Sequence, residues 1–204
     1  MIAVKVCGMT DPEDARLAAQ LGASAVGMVF WPGSPRSVDV ERARKIVAAL
    51  PPFVTSVGVF VDQSPTEVEA IVDRVGLDAI QLHGHETTDD YTRIGRRLIK
   101  AVAVREDSTG SEADEVPPHA AVLLDAHDPV KRGGTGRAID WRIAAAIAKR
   151  RPVILSGGLN AGNVVAAVRA VAPYAVDVSS GIESSPGRKD SAKLHAFFDA
   201  LRSL

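Results

Sequence analysis

Short apolar runs recur along the whole chain, and most of them are followed by a stretch with apolar side chains at helical spacing. The runs are apolar enough to be buried on both faces, which is typical of parallel strands covered by helices. The pattern predicts strands at residues 2–6, 24–30, 54–60, 78–82, 98–104, 120–124, 153–155 and 175–178.

The stretches between these runs predict helices, because they begin at capping residues or prolines and several of them end at a glycine. The segment 105–116 is polar and rich in Ser, Asp and Glu, so only a weak helix is predicted after the fifth strand. The remaining helices are predicted at 13–21, 39–50, 64–75, 139–148, 159–171 and 191–201, with one more ending near residue 94.

Eight strands, nearly all followed by a helix, predict an α/β protein, with residues 1–204 forming a single (β/α)₈ barrel domain, the TIM barrel. The chain has 204 residues, whereas about 250 is typical of this barrel. We therefore expect short turns at the amino-terminal ends of the strands and few insertions. A doubly wound sheet is the alternative, but the glycine-rich turns come late in the chain and no G-x-G-x-x-G fingerprint is present.

Composition excludes several classes of protein. The chain carries 24 basic and 25 acidic side chains, so its net charge gives no strong electrostatic attraction to nucleic acid or to a membrane surface. No apolar run approaches the roughly 20 residues needed to span a bilayer, and no signal peptide is evident at the amino terminus. One cysteine gives neither a disulfide framework nor a cysteine-based metal site. A cytoplasmic protein is the default expectation.

Two turns of small residues follow the last two predicted strands. Ser156, Gly157 and Gly158 end one strand, and the run from Ser179 through Ser180 to Gly181 ends the next. Parallel neighbours place both turns at the same edge of the sheet, and exposed backbone N–H groups there suit a phosphate. Phosphate is most often held after strands seven and eight of this barrel, so the pattern predicts a phosphorylated small-molecule ligand.

The ligand of such a barrel meets residues at the carboxyl ends of the strands. Besides the two turns, that rule selects Cys7, Arg36, Gln81, His83 and Asp125. Cys7 is either a small buried hydrophobe or a thiol whose pKa is lowered by the following helix N-terminus. Asp125 is either a helix cap or a carboxylate pointing at the barrel mouth, and the second interpretation is favoured because no helix start lies within reach.

The other selected side chains also have two interpretations. Arg36 either pairs with a surface carboxylate or grips a planar ligand carboxylate with its guanidinium fork. His83 donates to the ligand or satisfies a loop carbonyl. The run Gly133–Gly136 is a flexible connection or a lid over Asp125. The histidines lie on different loops without matching carboxylates, so no metal site is predicted.

Seven short motifs occur in a fixed order and cover the chain from end to end. They are KVCGMT at 5–10, GMVF at 27–30 with SPR at 34–36, QLHG at 81–84, LLD at 123–125, GGTG at 133–136, LSGGL at 155–159 and VDVSSGIE at 176–183.

In this order the motifs resemble those of the phosphoribosylanthranilate isomerase family. The resemblance implies an Amadori rearrangement in tryptophan biosynthesis without a metal or organic cofactor. It further implies that Asp125 is the general acid and Cys7 the general base, and that Arg36 holds the anthranilate carboxylate. The same resemblance places the phosphate at N–H groups near the two turns. Gln81 and His83 complete the expected substrate-binding set.

The sequence is also compatible with two rival functions. A different phosphosugar barrel enzyme, such as ProFAR isomerase, performs the same rearrangement, although a pair of aspartates would favour it and the first strand here ends in cysteine. A catalytically silent barrel that binds a phosphorylated metabolite is the second rival, although both catalytic positions are intact. The chain is expected to be a monomer or a weak homodimer.

Overall fold

The computed structural model describes residues 2–105, 108–126 and 139–204, and it contains a closed barrel of eight parallel strands. The strands are β1 Ala3–Val6, β2 Ala25–Val29, β3 Thr55–Phe60, β4 Ala79–Leu82, β5 Arg97–Val104, β6 Ala120–Ala126, β7 Val153–Leu155 and β8 Ala175–Val178. Each strand pairs with the next, and β1 also pairs with β8, so the predicted (β/α)₈ fold is confirmed.

Helices connect most of the strands. They are α1 Pro12–Leu21, α2 Val40–Ala48, α3 Pro65–Val75, α4 Ser111–Asp114, α5 Trp141–Ala148, α6 Val164–Val171 and α7 Ser191–Leu201. Their starts follow the capping rules read from the sequence: Asp11, Asp39, Ser64 and Asp140 each accept a backbone N–H of the first turn. None of the helices in the described part of the chain has the length and hydropathy needed to cross a lipid bilayer.

Two apolar clusters form the core. The larger cluster fills the space between the barrel and the surrounding helices, and it includes Val4 and Val6 of β1. The smaller cluster lies inside the barrel and is built from alternate strand positions such as Val57, Ala79 and Leu123. Because strand side chains alternate between faces, Lys5 and Cys7 project to the inner side from β1.

The short connections expected for so short a barrel are present. Helices α1, α3 and α6 return to the next strand through residues 22–24, 76–78 and 172–174. Gly22 and Gly76 end the first two of these helices with positive φ angles of 114° and 79°, a conformation that glycine adopts without steric cost. The weak helix expected after β5 is the four-residue α4.

The helix expected to end near residue 94 is the 3₁₀ helix Thr88–Ile94, in keeping with Thr and Asp residues of low helix propensity in so short a segment. Expected boundaries need correction at α6 and β6. Helix α6 begins at Val164 instead of residue 159, because a loop held by Asn160 and Asn163 comes first. Strand β6 continues to Ala126, and therefore includes Asp125.

A hairpin after β8 is absent from the sequence prediction. It consists of β9 Glu183–Ser185 and the antiparallel β10 Arg188–Lys189. Gly187 at the turn has a φ of 83°, which suits the glycine of a Pro-Gly turn. The Lys189 N–H donates to Asp14 Oδ2 of α1 over 3.0 Å, so the hairpin is fastened beside the start of the barrel.

Candidate active site

The side chains selected from the sequence lie at the carboxyl end of the barrel. Cys7 directly follows β1, Gln81 is in β4, and His83 follows β4. Asp125 is the penultimate residue of β6, where it pairs in register with Ala103 of β5. Cys7, Gln81 and Asp125 are all buried, which agrees with side chains at the floor of a barrel mouth.

Asp125 is held by its neighbours in a definite orientation. Its Oδ1 accepts the N–H of Ala126 over 2.9 Å, and its Oδ2 lies 3.3 Å from His83 Nε2. The Nδ1 of the same ring is 3.0 Å from Gln81 Nε2. With the Gln81 amide donating to Nδ1, the ring carries its hydrogen on Nε2 and donates to the carboxylate. Gln81 and His83 therefore act together on Asp125.

The Cys7 thiol is surrounded by buried charges. Burial raises the pKa of the Cys7 thiol, and Asp177 adds to this effect, whereas Lys5 and Lys189 work in the opposite direction. The lowered pKa expected from the helix N-terminus is therefore wrong for this structure. The expectation failed because it ignored desolvation, which disfavours a thiolate that water does not reach.

Lys5 and Asp177 form a buried ion pair beside Cys7. Lys5 Nζ donates to Asp177 Oδ1 over 2.8 Å, and Ser156 Oγ lies 3.5 Å from Asp177 Oδ2. Burial opposes the charged form of Lys5, but Asp177 and Cys7 outweigh it and raise the pKa of Lys5. The lysine is therefore a fixed cation inside the barrel.

Arg36 is fixed by a carboxylate of its own chain. Its Nε and Nη2 atoms donate to Glu183 at 2.9 and 2.6 Å, a bidentate arrangement. Neither interpretation drawn from the sequence included this buried partner, because Glu183 approaches from the hairpin. Among residues 2–105, 108–126 and 139–204, Nη1 has no hydrogen-bond partner, so one edge of the guanidinium remains for a ligand.

Glu183 joins Arg36 to a second cation. Lys189 Nζ donates to Glu183 Oε1 over 2.9 Å and to the Cys7 carbonyl oxygen over 2.6 Å. Burial disfavours the Glu183 carboxylate, but Arg36 and Lys189 outweigh it, and the pKa of Glu183 is lowered. Gly8 makes room for this network, since a Cβ there would lie 2.5 Å from Arg36 Cδ.

The two glycine turns lie together, as the parallel pairing of β7 and β8 requires. A Cβ at Gly181 would lie 2.0 Å from the Leu159 carbonyl oxygen, so the second turn passes directly against the first. Gly157 and Gly158 have φ angles of 89° and 64°. Within the described ranges, the N–H groups of these two glycines have no acceptor, which leaves them available to an anion.

The chain matches one family model over nearly its whole length. That model is described as PRAI, N-(5'phosphoribosyl)anthranilate (PRA) isomerase, and it matches residues 4–200. The chain belongs to the phosphoribosylanthranilate isomerase family. This assignment confirms the resemblance of the seven motifs, and it decides against ProFAR isomerase as the family of this chain.

Individual members of the phosphoribosylanthranilate isomerase family agree with this assignment. The isomerase of Pseudomonas paraeruginosa is 48% identical over 203 residues, which is 99% of this chain and 96% of that protein. A crystal structure of monomers of the dimeric isomerase from Thermotoga maritima matches with a TM-score of 0.88 and 37% identity, covering 100% of both chains.

A third match carries a ligand. It is the crystal structure of a phosphoribosylanthranilate isomerase in complex with reduced 1-(o-carboxyphenylamino)-1-deoxyribulose 5-phosphate. It matches with a TM-score of 0.87 and 39% identity, and 100% of each chain is covered. That relative therefore binds a phosphorylated compound with an aromatic carboxylate.

The sequence did not single out four charged residues of this family member. Lys5, Asp177, Glu183 and Lys189 are all buried at the carboxyl end of the barrel. Strand alternation was an available signal for Lys5, because it lies two residues before Cys7 and so shares its face. Glu183 ends the motif VDVSSGIE, but nothing in the sequence indicates that Glu183 and Lys189 pair, because their positions depend on the hairpin.

Two further predictions concern a lid and a metal site. The possible lid at Gly133–Gly136 lies outside the described residues. In the part of the chain that is described, no group of three or more His, Cys, Asp and Glu side chains is placed to hold a metal ion.

We predict that Glu183→Gln destabilises the protein in a pH-dependent way. The lowered pKa of Glu183 means that its carboxylate stabilises the fold above pH ~4.5, and that this contribution is lost as the pH falls through the folded-state value. Urea unfolding at neutral pH should show a loss of about 3 kcal/mol. The difference between the two proteins should shrink in acid.

Glu41→Gln is the matched control, because Glu41 is an exposed carboxylate whose partner Arg44 is 3.8 Å away. It should change the free energy of unfolding by no more than about 0.5 kcal/mol. A Glu183→Gln loss that is equally large at neutral and acid pH would contradict the role assigned to the carboxylate.

Proposed function

We propose that this chain isomerises N-(5'-phosphoribosyl)anthranilate to 1-(2-carboxyphenylamino)-1-deoxyribulose 5-phosphate, an Amadori rearrangement in tryptophan biosynthesis. Asp125 is the general acid and Cys7 the general base. The observation that carries the proposal is the family match over residues 4–200, which includes both side chains. The rearrangement needs one group that gives a proton and another that removes one, and both side chains lie at the carboxyl end of the barrel.

The first step opens the sugar ring. Asp125 gives its proton to the furanose ring oxygen, the bond from C1 to that oxygen breaks, and the lone pair of the anthranilate nitrogen forms an iminium with C1. His83 keeps the carboxyl group oriented through the contact between Nε2 and Oδ2 of 3.3 Å. A positioned acid of this kind contributes about 10²–10⁴-fold to the rate.

The second step removes the proton from C2. The Cys7 thiolate takes that proton, the electrons of the C–H bond form a C1–C2 double bond, and the nitrogen becomes neutral. The resulting enolamine tautomerises to the ketone. Since the substrate's own nitrogen accepts electrons, the proposal includes neither a metal nor an organic cofactor.

Substrate binding is assigned to the groups whose N–H donors have no acceptor among the described residues. The free edge of the Arg36 guanidinium holds the anthranilate carboxylate, because its other edge already holds Glu183. The N–H groups near Gly157, Gly158, Ser180 and Gly181 hold the phosphate. Gln81 and His83, which contact each other and Asp125, we assign to the sugar as well as to Asp125.

We predict that Asp125→Asn and Cys7→Ser each lower kcat by at least about a hundredfold with little change in KM, since each removes a proton-transfer group. The measurement is the loss of substrate fluorescence as the anthranilate compound is consumed. Asp199→Asn, an exposed position on α7, is the control and should retain full turnover.

Near-normal turnover in Asp125→Asn would exclude it as the acid, and the same result in Cys7→Ser would exclude the thiol as the base. Absence of turnover in the unaltered protein, together with tight binding of the reduced product, would instead favour the catalytically silent barrel.

Arg36→Ala should mainly raise KM, because a charged hydrogen bond to the anthranilate carboxylate is lost. A penalty of about 2–3 kcal/mol corresponds to a rise of roughly 30- to 150-fold. Arg42→Ala is the control, since Arg42 is an exposed arginine of the neighbouring helix α2. A KM that is unchanged in Arg36→Ala would refute the assignment.

We also propose that the protein is cytoplasmic and is a monomer or a weak homodimer. Phe53, before β3, is 96% exposed, and one exposed aromatic side chain supports at most a small contact, because it is extended apolar patches that mark stable interfaces. Sedimentation over a wide concentration range should give a monomer at low concentration. Phe53→Ser should weaken any dimer without changing kcat, whereas a dimer that persists at low concentration in both proteins would contradict the proposal.

A further inference from the structure

Lys5 is a buried lysine with no assigned role in the reaction. It is 4% exposed and lies opposite Asp177, 5% exposed, in the pairing of β1 with β8. Its neighbours Val4 and Val6 belong to the core between barrel and helices, so Lys5 and Cys7 share the inner face. A buried ion pair costs desolvation and is weak support for stability, so its place beside the thiol calls for another explanation.

Gly27 of β2 shows how closely the lysine approaches the thiol. A Cβ at this position would lie 2.9 Å from Cys7 Sγ and 3.2 Å from Lys5 Nζ. The two atoms therefore pack over the same glycine, within the roughly 4–6 Å over which an opposite charge favours an ionised group. Any larger residue at position 27 would displace one or both of them.

The surroundings of Cys7 disfavour the thiolate, which is the form that acts as the base. Burial raises the pKa of the Cys7 thiol, yet the proposed reaction needs the thiolate. In the part of the chain that the structure describes, the charged groups that interact with Cys7 are Lys5 from β1, Asp177 from β8, Lys189 from β10 and Arg36 from the loop after β2. Lys189 and Arg36 share one carboxylate, Glu183, and among the cations Lys5 is the strongest influence that favours the thiolate.

We propose that Lys5 is a positioning residue for the base: its ammonium, held in place by Asp177, stabilises the Cys7 thiolate and sets the pH range in which the thiol accepts the C2 proton. This inference rests on the function proposed for Cys7. The proton from C2 goes to the sulfur, and Lys5 keeps its own proton throughout, because its pairing with Asp177 favours the charged form.

The test is a titration of Cys7 in Lys5→Met. Cys7 is the only cysteine of the chain, so the ultraviolet absorbance of the thiolate reports one group without requiring turnover. We expect the midpoint to move to higher pH by about one unit or more. The acid limb of kcat/KM should move by the same amount, so that activity falls about tenfold at neutral pH and recovers in alkali.

Lys100→Met is the matched control. Lys100 is also a strand lysine in an ion pair, with its Nζ 3.1 Å from Glu86 Oε2, but it belongs to β5 and is not among the charges that face Cys7. It should leave the Cys7 titration unchanged. Lys5→Met leaves the Asp177 charge without its partner and can impair folding. The double variant Lys5→Met with Asp177→Asn removes both charges, and its Cys7 midpoint should still rise, because the lysine is the stronger influence of the two.

An unchanged Cys7 midpoint in Lys5→Met, or in the double variant where the single one does not fold, would overturn the proposal. So would a lowered midpoint, or an acid limb of kcat/KM that stays in place. Failure of the base assignment shows separately, as normal turnover in Cys7→Ser, because the thiol titration does not depend on catalysis.

Discussion

Closure of the barrel between β1 and β8 is the constraint on which the site depends. This pairing brings the beginning of the chain beside its end and sets Lys5 opposite Asp177. Cys7 follows directly on one side, and the hairpin with Glu183 and Lys189 follows on the other. A one-residue shift of β1 against β8 would turn Lys5 toward the helices and away from Asp177, so the same hydrogen bonds fix the strand pairing and the charges beside the thiol.

The buried charges at this end of the barrel are arranged as small networks. Lys5 pairs with Asp177, and Glu183 pairs with both Arg36 and Lys189. Isolated charges in such a position would each cost several kcal/mol, and apolar residues of similar size would give equal or greater stability. The networks are therefore best explained by the function proposed for this end of the barrel, where they leave one guanidinium edge free and hold a cation beside the thiol.

Much of the architecture could be predicted from the sequence, because strands buried on both faces and amphipathic helices leave strong periodic signals. The hairpin left none, since Glu183–Ser185 and Arg188–Lys189 are short, polar strands without an apolar period. The site residues at strand ends followed from the barrel rule alone. Their partners did not, because Asp177 meets Lys5 across 172 positions of sequence and only the register of the closed sheet brings them together.

The structural reason for some glycines could not be predicted from the sequence pattern. Gly8 and Gly27 occupy ordinary strand or turn contexts in the sequence, yet each is needed because a charged side chain packs over it. Gly8 admits Arg36, and Gly27 admits Lys5 together with the Cys7 thiol. Such close approaches are visible only when the inner surface of the barrel is assembled.

Both networks contact Cys7. Lys189 donates to its backbone carbonyl oxygen and so holds the backbone of Cys7 in position. The charges of Lys5 and Lys189 both favour ionisation of the thiol, Lys5 more strongly, and each lysine is held by its own carboxylate. In a buried site a fixed charge acts more strongly than the same charge in water. The charges of both lysines therefore affect ionisation of the Cys7 thiol more than the same charges would at the protein surface.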